Sequence, residues 1–352
     1  SRITDLWGDV PYFEALRGVN PDGDPILTPV YDGQDVIYAD LLDELKDAAS
    51  ALDLDAGIFG GADPFYSGDV TRWRKFANTL RLRLALRVSN ADPALAQQHA
   101  TEVLAEADFI SDNSEGAHFT FISDNESPFY QLDATGQGMR NPSHFLIEHL
   151  NATADPRLNI LAEPTTESVL LPPLDYAGVP NLQTTADLAG FSTFNTSPVG
   201  DYFLQQSTPG TTLSFAESCF LQAEAAHKGW GGTQSAQAWY EAGVRAHMEY
   251  LNVATQDIDD FLAGGGAFDG TLEQIITQKW LTFVYRDGFE AYAEYRRTGF
   301  PALTDVNGAA IDAAAFPNRL AYPPVEISLN GTNVSAVGVG INDFSSKVWW
   351  AQ

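Results

Sequence analysis

Residues 271–301 read TLEQIITQKWLTFVYRDGFEAYAEYRRTGFP, an aromatic-rich run that closes on Arg296-Arg297-Thr298-Gly299-Phe300-Pro301. Leu272, Ile275, Ile276, Leu281, Phe283, Val284, Phe289 and Tyr292 are too dense for a one-sided surface helix. The expectation is therefore one long helix gripped on two sides by neighbours. Gly299 supplies a left-handed cap and Pro301 cannot continue the hydrogen-bond ladder, while Arg296 and Arg297 sit where a helix C-terminus favours positive charge. The stretch reads as scaffold, with its Arg-Arg-Thr-Gly end anchoring a return loop.

Upstream, residues 213–232 and 233–251 form a second pattern, a helix pair hinged at Gly229–Gly232 with small residues where two helices must approach closely. Trp239, Tyr240 and Tyr250 are its packing knobs. The pair resembles a tetratricopeptide hairpin, a unit that needs stacked neighbours to bury its faces. Residues 1–110 can supply them, with helices expected at roughly 35–53, 70–88 and 93–107. The second of these holds the chain's basic cluster, Arg72, Arg74, Lys75, Arg81, Arg83 and Arg87, expected to be paired with carboxylates in an acidic body.

Between about 110 and 212 the periodicity dissolves into Ser, Thr, Asn, Asp, Gly and Pro with isolated aromatics and one helix near 142–151. Such a length is an irregular insert of short turns and strands. Loops on a rigid scaffold are where binding groups concentrate. The fold class is thus mainly α: a tetratricopeptide-like helical-repeat scaffold with an irregular, loop-rich ligand-binding region carrying short strands. The 352 residues are read as a single domain, with helical repeats in 1–110, the ligand-facing insert in 111–212, and helical repeats with an extended tail in 213–352.

The chain holds 19 basic and 47 acidic residues, a net charge of −28, and only five of the cations are lysines. Such a field repels a nucleic-acid backbone and fits a protein working in high salt. The single Cys219 excludes an internal disulfide framework and reads as a buried small hydrophobe. No HExxH, GxSxG or phosphate-loop pattern occurs. His144 and His149 are five apart, off the one-face spacing of a helical metal pair. Asn20-Pro21-Asp22-Gly23-Asp24 reads as a turn rather than a calcium loop. No motif points to a catalytic residue, metal or cofactor, while paired carboxylates for glycoside hydrolysis stay open, because their diagnostic separation exists only in three dimensions.

Several short phrases recur in order along nearly the whole chain. They are Trp7-Gly8-Asp9-Val10-Pro11-Tyr12, Pro29-Val30-Tyr31-Asp32, Tyr66-Ser67-Gly68-Asp69 leading to Trp73, and Asp155-Pro156-Arg157. Then come Thr277-Gln278-Lys279-Trp280, Arg296-Arg297-Thr298-Gly299, Arg319-Leu320-Ala321-Tyr322-Pro323 and Lys347-Val348-Trp349-Trp350. Together they make the chain similar to the SusD/RagB family of SusD-like nutrient-binding outer-membrane lipoproteins. The resemblance implies a cell-surface binding protein rather than an enzyme, one that captures a glycan or oligosaccharide, or a peptide in some members, for a SusC-like TonB-dependent transporter. It also implies an N-terminal lipid anchor, signal and helices ahead of Ser1, so that the first repeat is expected to lack a helix. The alternatives are a helical-repeat protein-interaction scaffold and a polysaccharide hydrolase.

Sugar capture needs flat aromatic faces with polar groups to fix hydroxyls. Phe129, Tyr130, Tyr176, Phe194 and Tyr202 are the expected platforms, and Asn125, Gln131 and Asn195 the polar partners. The recurring phrases themselves read as turn, cap and ion-pair devices.

Overall fold

The computed structural model of the protein describes residues 1–55, 60–135, 141–180, 190–305, 307–311, 316–340 and 342–352. The glycine-rich sequence Gly57-Ile58-Phe59-Gly60-Gly61, which reads as a turn between the helices expected at roughly 35–53 and 70–88, lies partly outside them. The first helices are α1 (Arg2–Trp7), α2 (Gln34–Ala51), α3 (Val70–Arg87) and α4 (Pro93–Glu106). The middle segment carries the short α5 (Pro128–Ala134), α6 (His144–Ala152), α7 (Leu158–Leu161) and α8 (Thr166–Leu170). The last third carries α9 (Phe215–His227), α10 (Ala236–Tyr250), α11 (Thr255–Ala263), α12 (Leu272–Phe283), α13 (Gly288–Thr298), α14 (Pro324–Leu329) and α15 (Gly331–Ala336). No described helix is long and apolar enough to cross a membrane.

The helices start where side-chain oxygens can cap them. Asp69, Asp92, Ser143, Ser214, Ser235, Thr271 and Asp287 each accept a hydrogen bond from a first-turn backbone N–H. The α9–α10 pair packs closely. A Cβ on Gly243 would meet the Phe220 ring at 2.8 Å, so only glycine lets α10 lie this close to α9. Tyr240 and Phe220 are fully buried between them. Together with α2–α4 and α12–α13 this gives the expected tetratricopeptide-like scaffold.

The irregular middle segment leaves and rejoins the scaffold through a two-stranded ribbon. Strand β1 (Ala117–Phe119) pairs antiparallel with β2 (Gly210–Leu213), Ala117 facing Leu213 and Phe119 facing Gly210. The ribbon thereby gathers the two ends of the segment at one place, next to α10 and α12.

The expectation of one long helix over 271–301 is corrected. The chain breaks after Phe283, whose carbonyl accepts from the N–H groups of both Arg286 and Asp287 at 2.9 and 3.0 Å. Tyr285 takes a left-handed φ of 57°. Asp287 then caps α13 through the Glu290 N–H at 3.0 Å. Its carboxylate makes a new helix start locally better than continuation, and Gly288 after it weakens the interior of a continuous helix.

Beyond the break, the Arg-Arg pair is packed inward rather than merely set at a helix end. Gly299 caps α13 at φ 76°, as expected, with its N–H on the Tyr295 carbonyl. Arg297 meets Glu224 of α9 at 2.6 and 2.8 Å and Glu294 at 2.7 Å. Arg83 of α3 forks onto Glu217 of α9 at 2.6 and 2.5 Å, Arg87 pairs with Glu290 of α13, and Lys279 of α12 reaches Glu294 at 2.6 Å. Four cations, Arg83, Arg87, Lys279 and Arg297, are therefore matched by Glu217, Glu224, Glu290 and Glu294, all buried. Burial opposes the charge of Glu294, but Arg297, Lys279 and Arg87 outweigh it and hold the carboxyl well below its ordinary range. The basic cluster on α3 is paired as expected: Arg74 with Asp108 at 2.5 Å, Lys75 with Glu115 at 2.5 Å, and Arg81 with Glu102.

Arg296 ties the N-terminal helix and the return loop to the scaffold, donating to the carbonyls of Asp5 at 2.7 Å and Asn318 at 3.0 Å and lying over the Trp350 ring. Trp350 is fully buried and donates to Asp5, as does Tyr38. The Trp7–Tyr12 phrase works in the same way. Trp7 donates to the Ala321 carbonyl at 2.9 Å, and the Tyr322 hydroxyl to the Asp9 carbonyl at 2.6 Å. Cys219 is buried and unpaired. Asn20 closes a turn by accepting from the N–H groups of Asp22 and Asp24, with Gly23 at φ 90°.

Candidate functional site

A cavity of about 160 Å³ opens where the ribbon, α5 and the α12–α13 break meet. Its walls are the rings of Phe121, Phe129, Phe203 and Tyr285, the Arg286 side chain, and the backbone turns at Ser127-Pro128 and Thr208–Gly210. Each wall has a local cause. The β1–β2 pairing carries Phe121 over Gly210, where a Cβ would sit 3.3 Å from the ring. The Ser127 N–H donates to the Gln206 carbonyl at 2.9 Å and fixes the start of α5, which places Phe129. A single turn at Asp201–Leu204 buries Phe203. The break after α12 swings Tyr285 between Phe203 and Phe129, edge-on to both at ring-centroid distances of 5.0 and 5.9 Å.

Arg286 lies over the Tyr250 ring, 4.4 Å from its centroid, and more loosely over Phe203 at 5.9 Å. Tyr250 is stacked in turn on His118 at 4.9 Å. Burial pulls the Arg286 pKa down, partly offset by the Tyr250 and Tyr202 hydroxyls. Two polar atoms here are buried without a hydrogen-bond partner, Arg286 Nη2 and the Tyr285 hydroxyl. Burial also pushes the Tyr285 phenol upward, keeping it a neutral donor. A bulky residue at positive φ beside two orphaned donors is backbone strain kept at one spot, and such strain concentrates at ligand sites.

The described lining contains no Asp, Glu, His or Cys. What the arrangement can do is bind: aromatic faces for the apolar side of a ring, and a guanidinium and a phenol to donate hydrogen bonds. Among the described residues no group of three or more His, Cys, Asp or Glu is placed to hold a metal.

The eight expected site residues divide. Phe129 lines the cavity, and Tyr202 flanks it, half-buried against Phe203 and beside Arg286. Tyr130 and Gln131 follow Phe129 on α5, half-buried and exposed respectively. Asn125 stands at an exposed turn, exchanging backbone hydrogen bonds with Ile122. Tyr176, Phe194 and Asn195 belong to another patch. The Tyr176 hydroxyl is bonded to Asn159 at 2.7 Å. Asn195 closes its own loop, accepting from the Ser192 N–H at 2.7 Å and donating to the Gly190 carbonyl at 2.8 Å. Phe194 is exposed beside α8, its carbonyl accepting from the Glu167 N–H.

Tyr285 and Arg286 were missed by sequence reasoning because they fell inside an expected helix. The available signal was Asp287-Gly288, a helix-start pair in mid-pattern.

The family model described as "Starch-binding associating with outer membrane", SusD-like, matches residues 1–323. Among solved structures, the chain is similar to a chitin-binding protein at 31% identity, with a TM-score of 0.83, covering 99% of this chain and 78% of that one. It is similar at 25% identity, TM-score 0.82, to a chitin-binding SusD homolog from Flavobacterium johnsoniae, covering 100% of this chain and 78% of that one. A Bacteroides vulgatus outer membrane protein described as probably involved in nutrient binding matches at 25% identity, TM-score 0.86, over 100% and 82%. No curated protein matches the chain.

Proposed function

The chain belongs to the SusD-like family of outer-membrane-associated, carbohydrate-binding nutrient proteins, and we propose that it captures an oligosaccharide in the cavity at the α12–α13 break. In this reading it hands the ligand to a SusC-like TonB-dependent transporter and is held at the outer-membrane surface by an N-terminal lipid anchor. The observation that carries the binding part is the juxtaposition of four aromatic walls with two unpartnered donors, Tyr285 Oη and Arg286 Nη2. Ring faces and directed donors are the two elements sugar recognition needs, and a cavity without described carboxylates or histidines favours capture over hydrolysis.

The second patch supports the partner half of this reading. Val169, Leu170, Leu171 and Leu174 are exposed on and just after α8, as is Phe194, whose carbonyl bonds that helix. A concentration of exposed apolar side chains marks a protein contact rather than a sugar site. In this reading Phe194 and its neighbours face the transporter.

Titration calorimetry against chito- and malto-oligosaccharides, other plant and microbial oligosaccharides and a peptide mixture tests the capture step. Binding of a saccharide without turnover, weakened by Phe129→Ala, is the expected result. Binding that survives Phe129→Ala and Tyr285→Ala unchanged would remove the cavity from the function, and release of shortened products would replace capture with hydrolysis.

A further inference from the structure

Arg286 differs from most of the buried arginines in lining a cavity without an ion pair among the described residues. Arg83, Arg87, Arg157 and Arg297 each hold a buried carboxylate, on Glu217, Glu290, Asp155 and on Glu224 with Glu294. Arg296 and Arg319 have no carboxylate either, but the three nitrogens of Arg296 donate to the carbonyls of Tyr292, Asn318 and Asp5, and Arg319 donates to the Trp7 carbonyl, with its Nε left without a partner. Arg286 has no ion pair among the described residues, and its Nη2 is buried with no acceptor. The chain has 47 acidic residues, yet the described lining of this cavity includes none.

A guanidinium in such surroundings carries an uncompensated desolvation cost. Aromatic faces return part of it, here from Tyr250 and Phe203. A neutral hydroxyl would satisfy the idle donor but leave the charge unmatched. A carboxylate would do both, through a charge-assisted bond that the planar fork of arginine is shaped to make. The Tyr285 hydroxyl, unpartnered on the same wall, supplies a neighbouring donor. Ligand pockets usually begin at ~300 Å³, so a cavity of about 160 Å³ holds one sugar-sized end group rather than a chain.

Building on the saccharide-capture reading, we propose that this cavity is a subsite for the carboxylate of an acidic sugar, a uronate residue at the end of or branching from the captured oligosaccharide, with Arg286 and Tyr285 as its donors. The net charge of −28 repels such a ligand at long range. That repulsion is screened by salt, while the buried contact is not. Uronate affinity should therefore hold or rise between low salt and 1 M NaCl, the reverse of an exposed ion pair.

The test is titration calorimetry of the intact chain with an oligogalacturonate, its methyl ester, and a neutral chito-oligosaccharide, at two salt concentrations. Wild-type protein should bind the acid about tenfold or more tightly than the ester, and Arg286→Gln should abolish that preference while melting like the parent. Equal or tighter binding of the ester by wild-type protein overturns the proposal, as does an acid preference that persists in Arg286→Gln. The acid–ester comparison on unmutated protein decides the matter even if the variant fails to fold. Binding of the neutral saccharide alone, lost in Phe129→Ala, would overturn the uronate subsite and leave saccharide capture standing; binding of no saccharide would overturn both.

Discussion

Within one 31-residue stretch the protein treats charge in two opposite ways. On α13, Arg297 is buried between Glu224 and Glu294, part of a set in which four cations meet four carboxylates across α3, α9, α12 and α13. Eleven residues earlier, Arg286 is left without a carboxylate, beside a tyrosine held at positive φ. The first arrangement locks helices together: each glutamate is useful only when its partner helix is in place, so the pairs specify how the helices dock. The second leaves bonding capacity unspent in residues that line a cavity. A carboxylate partner, rather than the absence of idle nitrogens, separates the part of the segment that builds the fold from the part that lines the cavity, since Arg87 Nε and Nη1 within the network also lack hydrogen-bond partners.

The largest effect that could break this contrast lies in the paired region. Arg297→Ala should lower unfolding free energy by about 3–5 kcal/mol, because it strands Glu224 and Glu294 in the interior. Urea denaturation measures it, and a loss under 1 kcal/mol would mean that the buried network is not what joins α13 to α9. At the end of the same helix, Gly299→Ala forces a Cβ into φ 76° and should cost roughly 1–2 kcal/mol by the same assay.

A pH series sharpens the contrast from the side of the histidines. His247 accepts from Arg157 at 3.0 Å, and burial, then Arg157 and Arg286, hold its pKa well below the ordinary value. Burial also lowers His99, His118 and His149. The folded state therefore keeps these rings neutral while the unfolded chain protonates them below about 6.5. Stability should be fully present above that pH and fall as pH drops towards 5, at up to about 1.4 kcal/mol per pH unit for each such ring. His247→Asn should flatten the slope; a profile indifferent to that change would remove the ring from the linkage.

The smallest effect is on the unpaired side. Tyr285→Phe removes a buried hydroxyl that has no partner, so it should raise stability by about 1 kcal/mol while weakening ligand binding. A destabilised Tyr285→Phe would mean that the hydroxyl is satisfied in solution and is no donor in reserve.

The scaffold was legible because its signals are local. Asp69, Asp92, Ser143, Ser214 and Ser235 cap helices at the starts that periodicity implied, and Gly299 ends α13 where it should. The pairing of the α3 arginines followed from charge balance. The site was legible only in part. Phe129 lies on the cavity and Tyr202 beside it, but Asn195 closes its own loop and Tyr176 is bonded to Asn159 of α7. A polar side chain in an irregular segment serves its own turn or a ligand with the same residue type, and only the three-dimensional bond count tells them apart. Tyr285 and Arg286 were hidden for a related reason. Both are acceptable helix residues, and what takes them out of the helix is the cap that Asp287 makes with Glu290, three residues further on.

The most direct test sets the two arginines of the segment against each other: unfolding free energy and saccharide affinity, both measured for Arg286→Gln and for Arg297→Ala. A crossed result is expected. Arg286→Gln loses affinity and keeps its stability, whereas Arg297→Ala loses stability and, under conditions where it remains folded, keeps its affinity. If the two variants lose both properties together, or if Arg286→Gln is the one that unfolds, the division between a paired scaffold and an unpaired site is wrong.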